Sequence, residues 1–87
     1  MRIRLHKTFI KQFLKRRPAE QSRFRERRNL FLVNHFHPLL NNHVLHGKYA
    51  GYRSFSVGGD LSVIYKEEAK DLVTFIVIGT HHELYGL

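Results

Sequence analysis

The hydrophobic positions of this chain change period along its length. Residues 2–6 alternate, with Ile3 and Leu5 on one side and Arg2, Arg4 and His6 on the other, which predicts a half-buried strand. Thr8 then offers an N-cap, and Phe9, Ile10, Phe13 and Leu14 form one apolar stripe of a helix running to about residue 17. Lys7, Lys11, Lys15 and Arg16 face water on that helix. Pro18 disfavours helical geometry at Arg17 and suits the first turn of a second helix, predicted over 19–36. That helix starts highly charged, EQSRFRERR, and ends apolar nearly all round at LFLV, so its far end should be buried. Residues 39–42 read as a loop, with a turn at Asn41-Asn42.

From residue 51 onward the pattern is that of strands. A first runs over 51–57, and Gly58-Gly59-Asp60 closes a hairpin, because glycines supply the positive φ that tight hairpins need. A second spans 61–66, and 67–71 is a charged turn. The third, 72–78, is the most apolar run in the chain. A strand apolar on both faces, such as VTFIVI, belongs inside a sheet with helices over its core side. The order β-α-α-β-β-β predicts a single α+β domain over 1–87. Two antiparallel helices pack on one face of a small twisted, mostly antiparallel sheet, and the other face and the strand ends stay open.

With 87 residues the chain has room for one domain. A domain this small buries only about 60% of its unfolded surface. It has no cysteine, hence no disulfide and no thiolate metal site, which fits a reducing compartment. The N-terminus MRIRLHK has no apolar leader-like stretch, and no apolar run approaches membrane-spanning length. The expectation is a soluble cytoplasmic protein with no membrane partner. Fifteen Lys and Arg against seven Asp and Glu give a net charge of +8. Such an excess attracts polyanions: nucleic acid first, then an acidic protein. A membrane surface ranks third, because the basic helices bury their apolar faces in a core.

Polar residues collect at the sheet edges: His43, Lys48, Arg53, Ser54, Ser56, Asp60, His81, His82 and Tyr85. On so basic a body this set suits phosphodiester chemistry. RNA can be cut when its 2′-hydroxyl attacks the adjacent phosphate, which needs a base, an acid and positive charge on the phosphate. Histidine suits both proton roles, and the arginine fork suits the phosphate. Metal is the competing use of histidines. His35-x-His37, His43-x-x-His46 and His81-His82 lack a cysteine, a clear third ligand and a metalloprotease pattern, so neither metal nor cofactor is expected.

Taken in order and spacing, NHVLHG (42–47), GYR (51–53), the turn ending in Asp60, VIYK (63–66) and GTHHELYG (79–86) resemble the YafQ branch of the RelE/ParE toxin superfamily. These are small bacterial toxins of type II toxin–antitoxin pairs, and the resemblance covers nearly the whole chain. It implies a metal-independent endoribonuclease that cuts mRNA on the ribosome, restrained by a cognate acidic antitoxin. It also implies site residues. His81 matches the histidine of the family's GTH motif, His43 the loop histidine, Asp60 the catalytic aspartate and Arg53 the phosphate-binding arginine. Tyr85 stands where the family carries a terminal aromatic that can stack on a base. Lys48 and Lys66 supply charge for RNA. Ser56 occupies the place of a family histidine and Ser54 that of an acidic residue, so two members of the catalytic set are replaced by hydroxyls.

Each residue also has a plainer reading: a strand-end cap for His81, a backbone-bonded loop residue for His43, a turn former for Asp60, a solvated strand side chain for Arg53, and a tail anchor for Tyr85. Two other functions stay open. One is a ParE-like toxin that inhibits DNA gyrase by binding, although such an inhibitor needs no proton-transfer set. The other is an inactive basic RNA-binding module.

Overall fold

A computed structural model describes residues 1–86. The chain runs through β1 (Arg2–Leu5), α1 (Lys7–Leu14), α2 (Pro18–Val33), a 3₁₀ turn (Pro38–Leu40), β2 (His43–Val44) and a second 3₁₀ turn (Gly47–Tyr49). It continues with β3 (Arg53–Gly58), β4 (Leu61–Ala69), β5 (Leu72–Thr80) and a short helix α3 (His81–Tyr85). The five strands form one sheet in the order β1-β5-β4-β3-β2. Only β1 and β5 pair in parallel; the other neighbours are antiparallel. This is the α+β fold expected, with VTFIVI on an interior strand between β1 and β4.

One face of the sheet is apolar and both long helices cover it. Phe9, Phe24, Phe31 and Leu40 meet Phe55, Val57, Leu61, Val63, Tyr65, Val73, Phe75 and Ile78 in a single buried cluster. Phe31 is its hub: its ring contacts those of Phe55, Tyr65 and Phe75 at centroid distances of 5.0, 5.1 and 5.7 Å. Pairs of this geometry add to the area that they bury. The helix-side residues of β3 alternate with Ser54 and Ser56, which therefore point to the opposite face.

The boundaries differ from expectation where side chains capture the backbone. The cap of α1 is His6, whose Nδ1 accepts the N–H of Thr8 at 3.1 Å; Thr8 is the capped residue. Helix α2 ends at Val33, short of Phe36. There His35 Nδ1 bonds the Phe31 carbonyl at 2.8 Å, and Asn34 Oδ1 accepts the N–H of Phe36 at 3.0 Å, so local bonds replace the helical ladder. The charged turn at 67–71 shrinks to Lys70-Asp71, because β4 carries Glu67 and Glu68 outward as exposed strand residues. Gly58 and Gly59, at φ 118° and 56°, close the β3–β4 hairpin as expected, with a bulge between Ser56 and Gly58. The strand β2 and the helix α3 are additions to the expected order.

Two further features position the site. β1 stops at the level of Phe75, and past it the Ile78 N–H donates to Gln12 Oε1 of α1 at 2.8 Å. Gly79 leaves room for α3 to fold back, since a Cβ there would lie 3.2 Å from both Glu83 Oε1 and Leu84 Cδ2.

Phe31→Ala should destabilise the fold by about 3–5 kcal/mol in urea unfolding, the usual range for a buried phenylalanine. Val33→Ala, two residues on and 85% exposed, should stay within about 0.5 kcal/mol. Equal losses at both positions would contradict the assignment of this core.

Candidate active site

The face away from α1 and α2 holds a basin of about 410 Å³, lined by Asn41, His43, Val44, Leu45, His46, Ser54, Ser62, His81 and Tyr85. Register explains its floor. His43 on β2 pairs with Ser54 on β3, Ser54 pairs with Ile64 on β4, and Ile64 with Val77 on β5. One step along, Ser56 pairs with Ser62 and Ser62 with Gly79. In this second row, from Ser56 through Ser62 to Gly79, small side chains run across the sheet. The two histidines stand at opposite walls, His43 on the edge strand and His81 at the start of α3.

His43 Nδ1 lies 2.7 Å from the carbonyl oxygen of Asn41. A carbonyl only accepts, so Nδ1 carries the proton and, in the neutral ring, Nε2 keeps a free lone pair. Asn41 is held in the left-handed region at φ 45°, where asparagine is tolerated, and its N–H bonds the Pro38 carbonyl at 3.2 Å. Backbone geometry thus selects the tautomer of His43.

His81 is the first residue of α3 and is exposed. Its ring lies 4.6 Å from that of Tyr85, one turn on. Tyr85 meets Tyr49 edge-on at 5.7 Å, and Tyr49 donates its hydroxyl to the Leu84 carbonyl at 3.0 Å. Burial pushes the Tyr85 hydroxyl pKa above its ordinary value; Tyr49 adds to this and a hydrogen bond with Ser54 opposes it. Lys48 reaches this aromatic group from the rim, its Nζ 5.2 Å from the Tyr49 ring.

Other expected site residues lie outside the basin. Asp60 is exposed in the hairpin turn; since Leu61 pairs with Thr80, Asp60 and His81 leave the same end of the sheet. Ser56 is beside the basin, but its Oγ accepts the N–H of Gly58 at 3.1 Å, inside the bulge. Lys66 is exposed on β4 opposite Thr74, beyond the floor. Arg53 points to the helix side of β3. Its Nε donates to Asn42 Oδ1 at 2.8 Å and its guanidinium lies 5.3 Å from the Phe36 ring. Asn42 Nδ2 in turn donates to Tyr65 Oη at 2.8 Å and to the His35 carbonyl at 3.0 Å. His82 is exposed and does not line the basin.

Ser62, His46 and Tyr49 were not singled out for this chemistry by the sequence. Ser62 follows only from the register of the hairpin, and Tyr49 only from the return of α3. Among the described residues, no group of three or more His, Asp or Glu is placed to hold a metal ion.

An ionic junction braces α3 from behind. Arg16 Nη1 donates to Glu83 Oε1 at 2.8 Å, and Arg16 Nη2 and Nε meet the Glu20 carboxylate at 3.3 and 3.4 Å. Glu83 and Thr80 form a capping box at the start of α3, with Thr80 N–H to Glu83 Oε1 at 2.7 Å. The Arg16 hydrogen bond, assisted by Arg17 and opposed by burial, holds the Glu20 carboxyl down at about 2. The Thr80 backbone N–H, then Arg16, also lowers that of Glu83.

The family model for the bacterial toxin of type II toxin–antitoxin system, YafQ, matches residues 1–86. Among solved structures, a point mutant of YafQ from E. coli is 26% identical, with 98% of each chain covered and a TM-score of 0.75. YafQ in the DinJ–YafQ toxin–antitoxin complex from E. coli is 27% identical, covering 98% of this chain and 97% of that one, at a TM-score of 0.68. The archaeal RelE–RelB complex from Pyrococcus horikoshii shares the fold at 23% identity and a TM-score of 0.72, over 91% of this chain and 92% of that one. No curated protein matches the chain. The chain belongs to the YafQ family of bacterial toxins of type II toxin–antitoxin systems.

The depressed carboxyls at the junction set the acid limit. A carboxyl held low when folded contributes stability above its ordinary value of 4.5 and loses it as pH falls through its folded value of about 2. Chemical unfolding at stepped pH should therefore show stability falling from pH 4.5 towards 2. Glu20→Gln should be less stable at neutral pH and flatter across that window. An unchanged slope in Glu20→Gln would exclude Glu20 as its source.

Proposed function

We propose that this toxin is a metal-independent endoribonuclease that cuts mRNA on the ribosome and so stops translation. The observation that carries the reading is the pairing of two histidines across one open, serine-floored basin, one of them with its tautomer fixed. His43, with Nε2 free, takes the proton of the 2′-hydroxyl. That oxygen attacks the adjacent phosphorus, and the bond to the 5′-oxygen breaks. His81 protonates the departing oxygen. The products are a 2′,3′-cyclic phosphate and a 5′-hydroxyl. Both proton transfers lie within the ordinary reach of imidazole chemistry.

The remaining residues take supporting roles. Tyr85 offers a ring on which a base can stack. Lys48 brings positive charge to the rim and Lys66 meets phosphates of the strand beyond the floor, while Arg53, turned to the helix side, holds Asn42 just before β2. Asp60, on the exposed hairpin turn, leaves the sheet at the same end as His81. Ser56, where the resemblance expects a histidine, leaves this chain with two imidazoles in the reaction instead of three. Because message must reach the ribosome, the site of action is the cytoplasm.

The partner is a cognate antitoxin with an acidic segment. Two relatives are described as complexes with DinJ and with RelB. The net charge of +8 supports an acidic contact here.

Single-turnover cleavage of a defined message on purified ribosomes tests the mechanism. His81→Ala should lower the rate by roughly 10²–10⁴-fold, the usual worth of general acid–base catalysis. Ribosome binding should change little. Ser56→His should raise the rate or leave it unchanged. A His81→Ala protein that cuts at the parental rate removes His81 from the reaction. In cells, pulse labelling should show protein synthesis falling first; DNA synthesis falling first would favour a gyrase inhibitor.

A further inference from the structure

We propose that Arg16 is a positioning residue for His81, acting through Glu83; the catalytic part of this inference rests on the function proposed above. Helix α3 is short. At five residues it is far too short to hold its shape alone, because isolated helices of fewer than about 12 residues are marginal in water. Its geometry must come from its attachments. They include the capping box at Thr80 and Glu83, the buried Leu84, the Tyr49 hydroxyl on the Leu84 carbonyl, the contacts of Tyr85 with Tyr49 and Ser54, and Arg16.

His81 has few ties of its own. Among the described residues its imidazole makes no hydrogen bond, and its close aromatic neighbour is Tyr85 of the same short helix. The point from which the ring projects is therefore set by α3. Any tilt of α3 carries His81 and Tyr85 together, away from or towards His43.

Arg16 is suited to fix that tilt. Its side chain is 17% exposed, and its fork is anchored on Glu20 in the first turn of α2. The remaining nitrogen, Nη1, grips Glu83 across 67 residues of sequence. Glu83 Oε1 thus accepts from both the Thr80 N–H and Arg16, so one oxygen joins the cap of α3 to the elbow between α1 and α2. The Glu83 side chain is 53% exposed, so solvent screens the charge attraction. What the contact supplies is orientation, since guanidinium–carboxylate bonds are directional. Arg17 provides the contrast. It is the adjacent cation, 82% exposed, and it bonds Glu20 but not Glu83.

The test uses Arg16→Met, Arg16→Lys, Glu83→Leu and, as a control of equal charge change, Arg17→Met. Imidazole resonances of His81 are followed by NMR, and single-turnover cleavage is measured on ribosomes. Arg16→Met and Glu83→Leu, which removes the shared acceptor, should shift the His81 ring signals and lower kcat by about 10–100-fold with KM nearly unchanged, the scale of a small misplacement of a reacting group. Arg16→Lys should recover part of the rate, and Arg17→Met should match the parent in both readouts. If Arg16→Met does not fold, Glu83→Leu decides alone. His81 signals and rates equal to the parent's in both variants would overturn the proposal. A loss confined to KM would overturn it too, since Arg16 would then be an RNA contact. Should the parent cut no message, the nuclease reading fails, and the His81 signals alone decide whether Arg16 positions the ring.

Discussion

Everything in this molecule depends on burying the apolar face of the sheet under two helices. Phe31 and Phe24 of α2 and Phe9 of α1 pack on Phe55, Tyr65 and Phe75, which takes these rings out of water. Strand geometry then decides the rest. Because side chains alternate, committing Phe55 and Val57 to the helices sends Ser54 and Ser56 to the other face. The small residues that floor the basin are a consequence of where the phenylalanines had to go. The same alternation removes Arg53 from the basin and leaves it with Asn42 and Phe36.

The open face needs walls, and the chain builds them from short pieces. β2 has two residues and α3 five, and neither could persist alone. Each is fixed by bonds to something larger: β2 by pairing with β3, and α3 by Arg16, Tyr49 and its own capping box. The two histidines stand on these pieces. A site so built is held by polar contacts at its edges together with the buried Leu84 beneath α3. Loss of a single edge contact can therefore move the histidines while the core stays intact.

Much of the fold was legible in the sequence because its signals are periodic. The helical stripe of α1, the glycine hairpin and the run VTFIVI each depend on neighbours in sequence. The end of α2 was not legible, because His35 and Asn34 side chains compete with the helical ladder and periodicity does not register them. Nor were β2 and α3, which exist through distant partners. The same division holds for the site. His43, His81 and Tyr85 could be named from local motifs, and they do share one basin. Ser62 and His46 join them only through the strand register and the turn after β2. Which face Arg53 takes depends on register and on Asn42, and a short motif such as GYR says nothing of either.

The central claim is that two imidazoles across this basin move the protons of a 2′-hydroxyl attack on RNA. The most direct measurement is the chemistry of the ends left on a ribosome-bound message after treatment with the purified protein. A 2′,3′-cyclic phosphate on one fragment and a 5′-hydroxyl on the other are the predicted result. A 3′-hydroxyl facing a 5′-phosphate would require water to attack in place of the 2′-hydroxyl, and would contradict the mechanism assigned to His43 and His81.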